Sequence, residues 1–120
     1  MQNSPKDLRK KILGRQGEDL TCKYLKKRGY KILERNYVTP FGEADIVAKS
    51  RDGYTCFVEV KARSSDAYGL PSEAVDYRKQ NRYRQIALYY VATVGKEIPV
   101  RFDVASVLGD EIDYFEHAFI

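Results

Sequence analysis

The chain has 120 residues, 43% apolar and 32% charged, the profile of one globular domain with its own core rather than of a disordered segment. No apolar run approaches bilayer-spanning length, and the opening MQNSPKDLRK lacks a signal peptide's apolar region, so no membrane partner and a cytoplasmic location are expected. A net charge of +4 leans mildly towards an anionic partner, while two scattered cysteines and one histidine, His117, argue against a disulfide framework or a zinc site.

From about Lys6 to Arg28, Leu8, Ile12, Leu13, Leu20, Tyr24 and Leu25 recur at three- and four-residue steps, which predicts a helix. Asn3-Ser4-Pro5 offers its cap and first-turn proline, and Gly29 its stop. Gly14 and Gly17 would let another backbone approach this helix closely. Tyr30 to Val38 reads as extended, and Thr39-Pro40-Phe41-Gly42 as a type I turn. Glu43 to Lys49 alternates as a second strand, and Arg51-Asp52-Gly53 turns the chain into a third. Ser64 to Leu70 is a predicted loop. Pro71-Ser72-Glu73 then starts a second helix, with an apolar stripe of Val75, Tyr83, Ile86, Tyr90 and Val94, that ends at Gly95. Ile98 to Val107 and Glu111 to Phe119 are the last two strands. The order α-β-β-β-α-β-β over residues 1–120 predicts a single α/β or α+β domain around a mixed central sheet.

The third strand contains FVEVKAR, Phe57 to Arg63. Alternation places Phe57, Glu59, Lys61 and Arg63 on one face and Cys56, Val58, Val60 and Ala62 on the other. If Arg51-Asp52-Gly53 makes a hairpin, Asp45 joins Glu59 and Lys61, and Glu18 on the first helix is a further acid for the cluster. Carboxylates gathered without a cation repel one another, and a hard divalent ion with oxygen ligands removes that cost. An Asp followed by Glu-x-Lys on neighbouring strands is therefore the minimum equipment for metal-assisted phosphodiester hydrolysis. Spacing alone leaves a second reading open, an exposed face of alternating, weakly paired charges.

A series of blocks runs through the chain in order: GRQGE at Gly14 to Glu18, RN at Arg35-Asn36, GEADIV at Gly42 to Val47, FVEVKAR, YGLPSEAV at Tyr68 to Val75, RKQ at Arg78 to Gln80, RFDV at Arg101 to Val104 and HAF at His117 to Phe119. Together they resemble the YraN family of small bacterial proteins, which is similar to the restriction-endonuclease-like superfamily with its PD-(D/E)XK motif and, within it, to Holliday-junction resolvases. The resemblance implies a restriction-endonuclease-like three-layer core and a magnesium- or manganese-dependent endonuclease acting on DNA, branched or junction DNA included. It makes Asp45 and Glu59 metal ligands, Lys61 the catalytic lysine and Glu18 an auxiliary acid. A homodimer is the state that resolvases imply. Ala44 stands where the motif has proline, so its opening is present only in the acid. The alternative is a nucleic-acid-binding module that keeps the fold without turnover.

Lys79 falls inside the apolar stripe of the second helix and must either snorkel to solvent or meet an acid. The second is favoured, with Lys79 reaching the acidic cluster and Gln80 nearby, although snorkelling explains it equally on sequence alone. Arg78 and Arg82 share a separate face with Gln85 and Tyr89, and Arg63 and Tyr68 flank the active strand. These residues are the expected nucleic-acid contacts, although a solvated helix face explains the arginines better than contact does, and packing against the second helix explains Tyr68 equally. Asp103 is expected to pair with Arg101 and support the sheet, and His117 to be structural.

Overall fold

The computed structural model describes residues 4–63 and 76–119. In chain order the elements are α1 (Pro5–Lys27), β1 (Lys31–Thr39), β2 (Gly42–Lys49), β3 (Thr55–Arg63), α2 (Tyr77–Val94), β4 (Val100–Leu108) and β5 (Glu111–Phe115). The expected order holds. The predicted loop at Ser64 to Leu70, the helix start at Pro71-Ser72-Glu73, Val75 and Tyr68 lie outside the described residues.

Each helix begins at a side-chain cap. Ser4 Oγ accepts from the Asp7 N–H at 3.2 Å ahead of Pro5, and Asp76 Oδ1 accepts from the Lys79 N–H at 2.9 Å. α2 ends at Gly95 in the left-handed conformation, as the sequence predicts. The five strands lie side by side in chain order, antiparallel except for the β3–β4 pair, which is parallel and spanned by the α2 connection.

The two faces of the sheet carry separate cores. Cys22 and Leu25 of α1 pack with Ile46, Ala48, Cys56, Val58 and Ala105 on one face. Tyr83, Ile86 and Ala87 of α2 pack with Ala44, Val47, Phe57, Val104 and Phe119 on the other. The result is a mixed sheet between two helices, with apolar residues on both faces of its central strands. Both cysteines are free and buried within the α1-side core or beside it. Among the described residues, no helix is long and apolar enough to cross a membrane.

Three expectations need correction. Among the described residues, close approach is made at Gly17 and not at Gly14: a Cβ on Gly17 would sit 2.8 Å from the Ala62 Cβ, whereas one on Gly14 would meet no described atom within 4 Å. The last strand stops at Phe115 rather than Phe119, because His117 takes a positive φ of 49° and turns the chain. Val94 is 40% exposed and leaves the apolar stripe at the final turn of α2. The Asp103–Arg101 pairing is present. Fully buried Asp103 accepts from Arg101 Nε and Nη2, from Tyr114 Oη at 2.6 Å and from the His117 N–H at 3.1 Å. That network ties β4, β5 and the following turn together.

Candidate functional site

The β2–β3 ladder ends at the Ile46–Val58 pair, and the acidic residues stand just beyond it. There the Asp45 carboxylate takes the place of a strand partner, accepting from the Val60 N–H at 2.8 Å. The Tyr83 hydroxyl of α2 closes the other side. It accepts from the Asp45 N–H and donates to the Val58 carbonyl, each at 3.4 Å. Asp45 and Glu59 are thus held where two strands part.

A face switch in β1 and β2 helps set this position. Arg35 and Ile46 look towards α1, whereas Tyr37 and Ala44, two residues along, look towards α2. Between them Asn36 has a φ of 51°, in the left-handed region that asparagine tolerates. With its amide nitrogen turned to its acidic neighbours, Asn36 donates to Glu18 Oε1 at 3.1 Å and to Glu43 Oε1 at 3.0 Å. Strict alternation along β2 therefore fails at Asp45.

Electrostatics bind the group together. Glu59 is 5% exposed and receives Lys79 Nζ at 2.8 Å, so the misplaced lysine of the α2 stripe does reach the acid. Burial, and then the Glu59 charge, push the Asp45 carboxyl up from 3.8 to about 7. Half-buried Lys61 is pushed down by burial and by the neighbouring Lys79 charge. For Lys79 burial acts downwards too, but the hydrogen bond and charge of Glu59 outweigh it and the net shift is upward. Glu18 is raised by burial, partly offset by Asn36 and Arg35, and its charge also raises Asp45. Arg35 stands 3.9 Å from Glu18 and 2.7 Å from Asp19.

Glu18, Asp45, Glu59, Lys61 and Lys79 are therefore one interacting set, assembled from α1, three positions on the β2–β3 pair, and α2. The other expected residues spread around it. Arg63 Nη2 donates to Ser106 Oγ on β4 at 3.2 Å. Arg78 and Arg82 are exposed, and the Arg82 stem lies across Gly42, where an added Cβ would meet its Cδ at 2.6 Å. Gln80 is half-buried beside Lys79. Asn36, Glu43 and Tyr83 belong to the site without having been assigned to it from sequence. Tyr83 is hidden by its own apolar stripe, and only the RN block hints at Asn36.

Among the described residues, no three His, Cys, Asp or Glu side chains form a group able to hold a metal ion by themselves. A pair of carboxylates still suits magnesium, which keeps several waters and is commonly bound through one or two carboxylates together with substrate phosphates. The raised Asp45 is the structural sign of that fit, because a divalent cation would offset the burial and, after it, the Glu59 repulsion that now favour its protonated form. A cavity of about 630 Å³ lined by Tyr24, Arg28, Tyr30, Tyr114, Phe115 and Glu116 shares no residue with the cluster.

The uncharacterised protein family UPF0102 matches residues 17–107. A UPF0102 protein of Thermodesulfovibrio yellowstonii is 48% identical over 107 residues, covering 89% of this chain and 95% of the relative. One of Alkaliphilus metalliredigens is 45% identical over 113 residues, covering 91% and 98%. One of Clostridium acetobutylicum is 48% identical over 112 residues, covering 92% and 91%.

Proposed function

The chain belongs to the uncharacterised protein family UPF0102, and we propose that it is a magnesium- or manganese-dependent endonuclease with a restriction-endonuclease-like core that hydrolyses phosphodiester bonds of DNA, branched and junction DNA included. The observation that carries this reading is the Asp45–Glu59 pair at the parting of β2 and β3, with the Asp45 carboxyl raised to about 7 beside a buried glutamate. A carboxyl shifted by burial together with a specific charged neighbour marks a candidate functional centre, because catalysis and metal binding need groups tuned in this way.

Asp45 and Glu59 would hold the ion. When bound, it would supply Lewis-acid activation of the phosphoryl oxygen and of a water. Lys61, lowered by burial, is suited to giving a proton or hydrogen bond to charge developing on the phosphate. Lys79 fixes Glu59 in place. Glu18, tied through Asn36 and Arg35, adds an acid on the α1 side of the same opening. Arg63, Arg78, Arg82 and Gln80 surround the set as contacts for phosphates. Tyr68, on the segment after β3, is assigned the same role from sequence alone.

A second reading, DNA binding without turnover, has its own support: the Lys79–Glu59 bond already neutralises one carboxylate without a metal. Incubation with single-stranded, duplex, flap and four-way-junction DNA, with and without magnesium or manganese, separates the two. The nuclease reading expects metal-dependent cleavage of at least one substrate. Binding without cleavage under either metal favours the module, and neither binding nor cleavage overturns both.

A further inference from the structure

The first turns of α1 are not packed on anything described. Every residue from Pro5 to Ile12 is exposed, including Leu8 at 48% and Ile12 at 56%, and the first buried residue of the helix is Gly17. The reason lies in how α1 crosses the sheet. Leu25 packs in the cluster with Cys56 and Val58, while Gly17 abuts Val60 and Ala62, so the helix runs back along β3 towards that strand's C-terminal end. From Ala62 to the end of β3 at Arg63 is one strand residue, about 3.3 Å, which a helix covers in about two residues. The strand therefore ends near Arg15, and the preceding helix, about 12 Å over residues 5–12, overhangs the end at which Lys61 and Arg63 stand.

This overhang is basic. Between Pro5 and Arg15 it carries Lys6, Arg9, Lys10, Lys11 and Arg15 against the single acid Asp7, a net +4 that equals the net charge of the whole chain. Among the described residues, none of the five cations has an ion-pair partner. Helical periodicity then aims two of them. Lys10 and Lys11 precede Gly17 and Glu18 by seven residues, close to two turns, so they continue the face that meets β3 and borders the acidic cluster.

Resting on the nuclease reading, we infer that the overhanging part of α1, through Lys10 and Lys11 with Lys6 and Arg15 beside them, grips the phosphodiester backbone of the nucleic acid that leads away from the candidate site. Charge complementarity and continuity with the Glu18 face name the occupant. A row of cations with no ion-pair partner among the described residues suits phosphates, which fix register without reading sequence. An anionic membrane is the less fitting partner, because the exposed apolar side of the overhang offers only Leu8 and Ile12 to insert.

The test is binding of labelled duplex and four-way-junction DNA by the full chain, read by fluorescence anisotropy across a salt series in chelator so that no cleavage intervenes. Lys10→Ala/Lys11→Ala is compared with Lys23→Ala/Lys27→Ala, which removes two exposed cations from the far half of the same helix. The first pair is expected to lose about tenfold in affinity and about two contacts' worth of salt slope, with an unchanged melting temperature; the control is expected to lose little of either. If the wild type binds DNA and the two double variants behave alike, the α1 grip is overturned while the nuclease reading survives. If the wild type binds no DNA but binds phosphatidylglycerol vesicles, both are overturned and the overhang is a membrane contact. Binding to neither overturns both as well.

Discussion

Replacing Asp45 with asparagine removes a charge that the fold holds at a disadvantage while leaving an oxygen to accept the Val60 N–H. The folded protein binds the Asp45 proton more tightly than the unfolded chain does, with the carboxyl at about 7 rather than 3.8. Wild-type stability should therefore fall as pH rises from 3.8 towards 7 and level off above that. At 1.36 kcal/mol for each tenfold change in proton affinity, the full displacement corresponds to about 4 kcal/mol. Asp45 is only half-buried, and solvent screening on its open side brings the expectation to about 2 kcal/mol. In urea titrations with chelator present, Asp45→Asn should unfold roughly 1 M later than the wild type above pH 7 and together with it at acid pH. Saturating manganese should reverse the order, stabilising the wild type by about 2.7 kcal/mol at a hundred times its Kd and the variant hardly at all. A variant less stable than the wild type above pH 7, or a gap that ignores pH, refutes the placement of Asp45 in a repulsive acidic pair. Equal manganese effects on both proteins refute its role as a ligand.

Lys79→Met should cost about 3 kcal/mol in urea unfolding at neutral pH, because it leaves buried Glu59 unpaired beside Asp45; a loss below about 1 kcal/mol would mean the ion pair is dispensable. Gly17→Ala should cost about 1–3 kcal/mol, since its Cβ would come within 2.8 Å of the Ala62 Cβ and push α1 from β3, whereas Gly14→Ala should be harmless or mildly stabilising. Arg101→Ala should cost about 3–5 kcal/mol by stranding fully buried Asp103, with DNA affinity per folded molecule unchanged; lost affinity without lost stability would move that network into the binding surface.

Parity within FVEVKAR was enough to separate Phe57 and Glu59 from Val58, and the two sets do meet different helices. Lys79 was half legible: a lysine in an apolar stripe must snorkel or meet an acid, and the structure decides for the acid, Glu59. The exact seat of Asp45 was not. It depends on the turn of strand faces at Asn36, a single positive φ that leaves no mark on the hydrophobic pattern. It also depends on the Tyr83 hydroxyl, which period counting treats as one more apolar side chain. The two glycines of α1 look alike in sequence and differ only because the sheet lies under one of them. For the same reason the period of Leu8 and Ile12 announced a helix but could not show that β3 ends before it reaches them.

Single-turnover cleavage by Lys61→Met, with manganese and whichever DNA the wild type cuts, carries the greatest weight for the endonuclease reading. Lys61 is half-buried beside Lys79, so losing its charge should change stability by less than about 1 kcal/mol and leave the melting temperature and DNA affinity near those of the wild type. The cleavage rate should fall on the order of a hundredfold or more. A variant that cuts as fast as the wild type, or a wild type that cuts no DNA at all, would contradict the assignment.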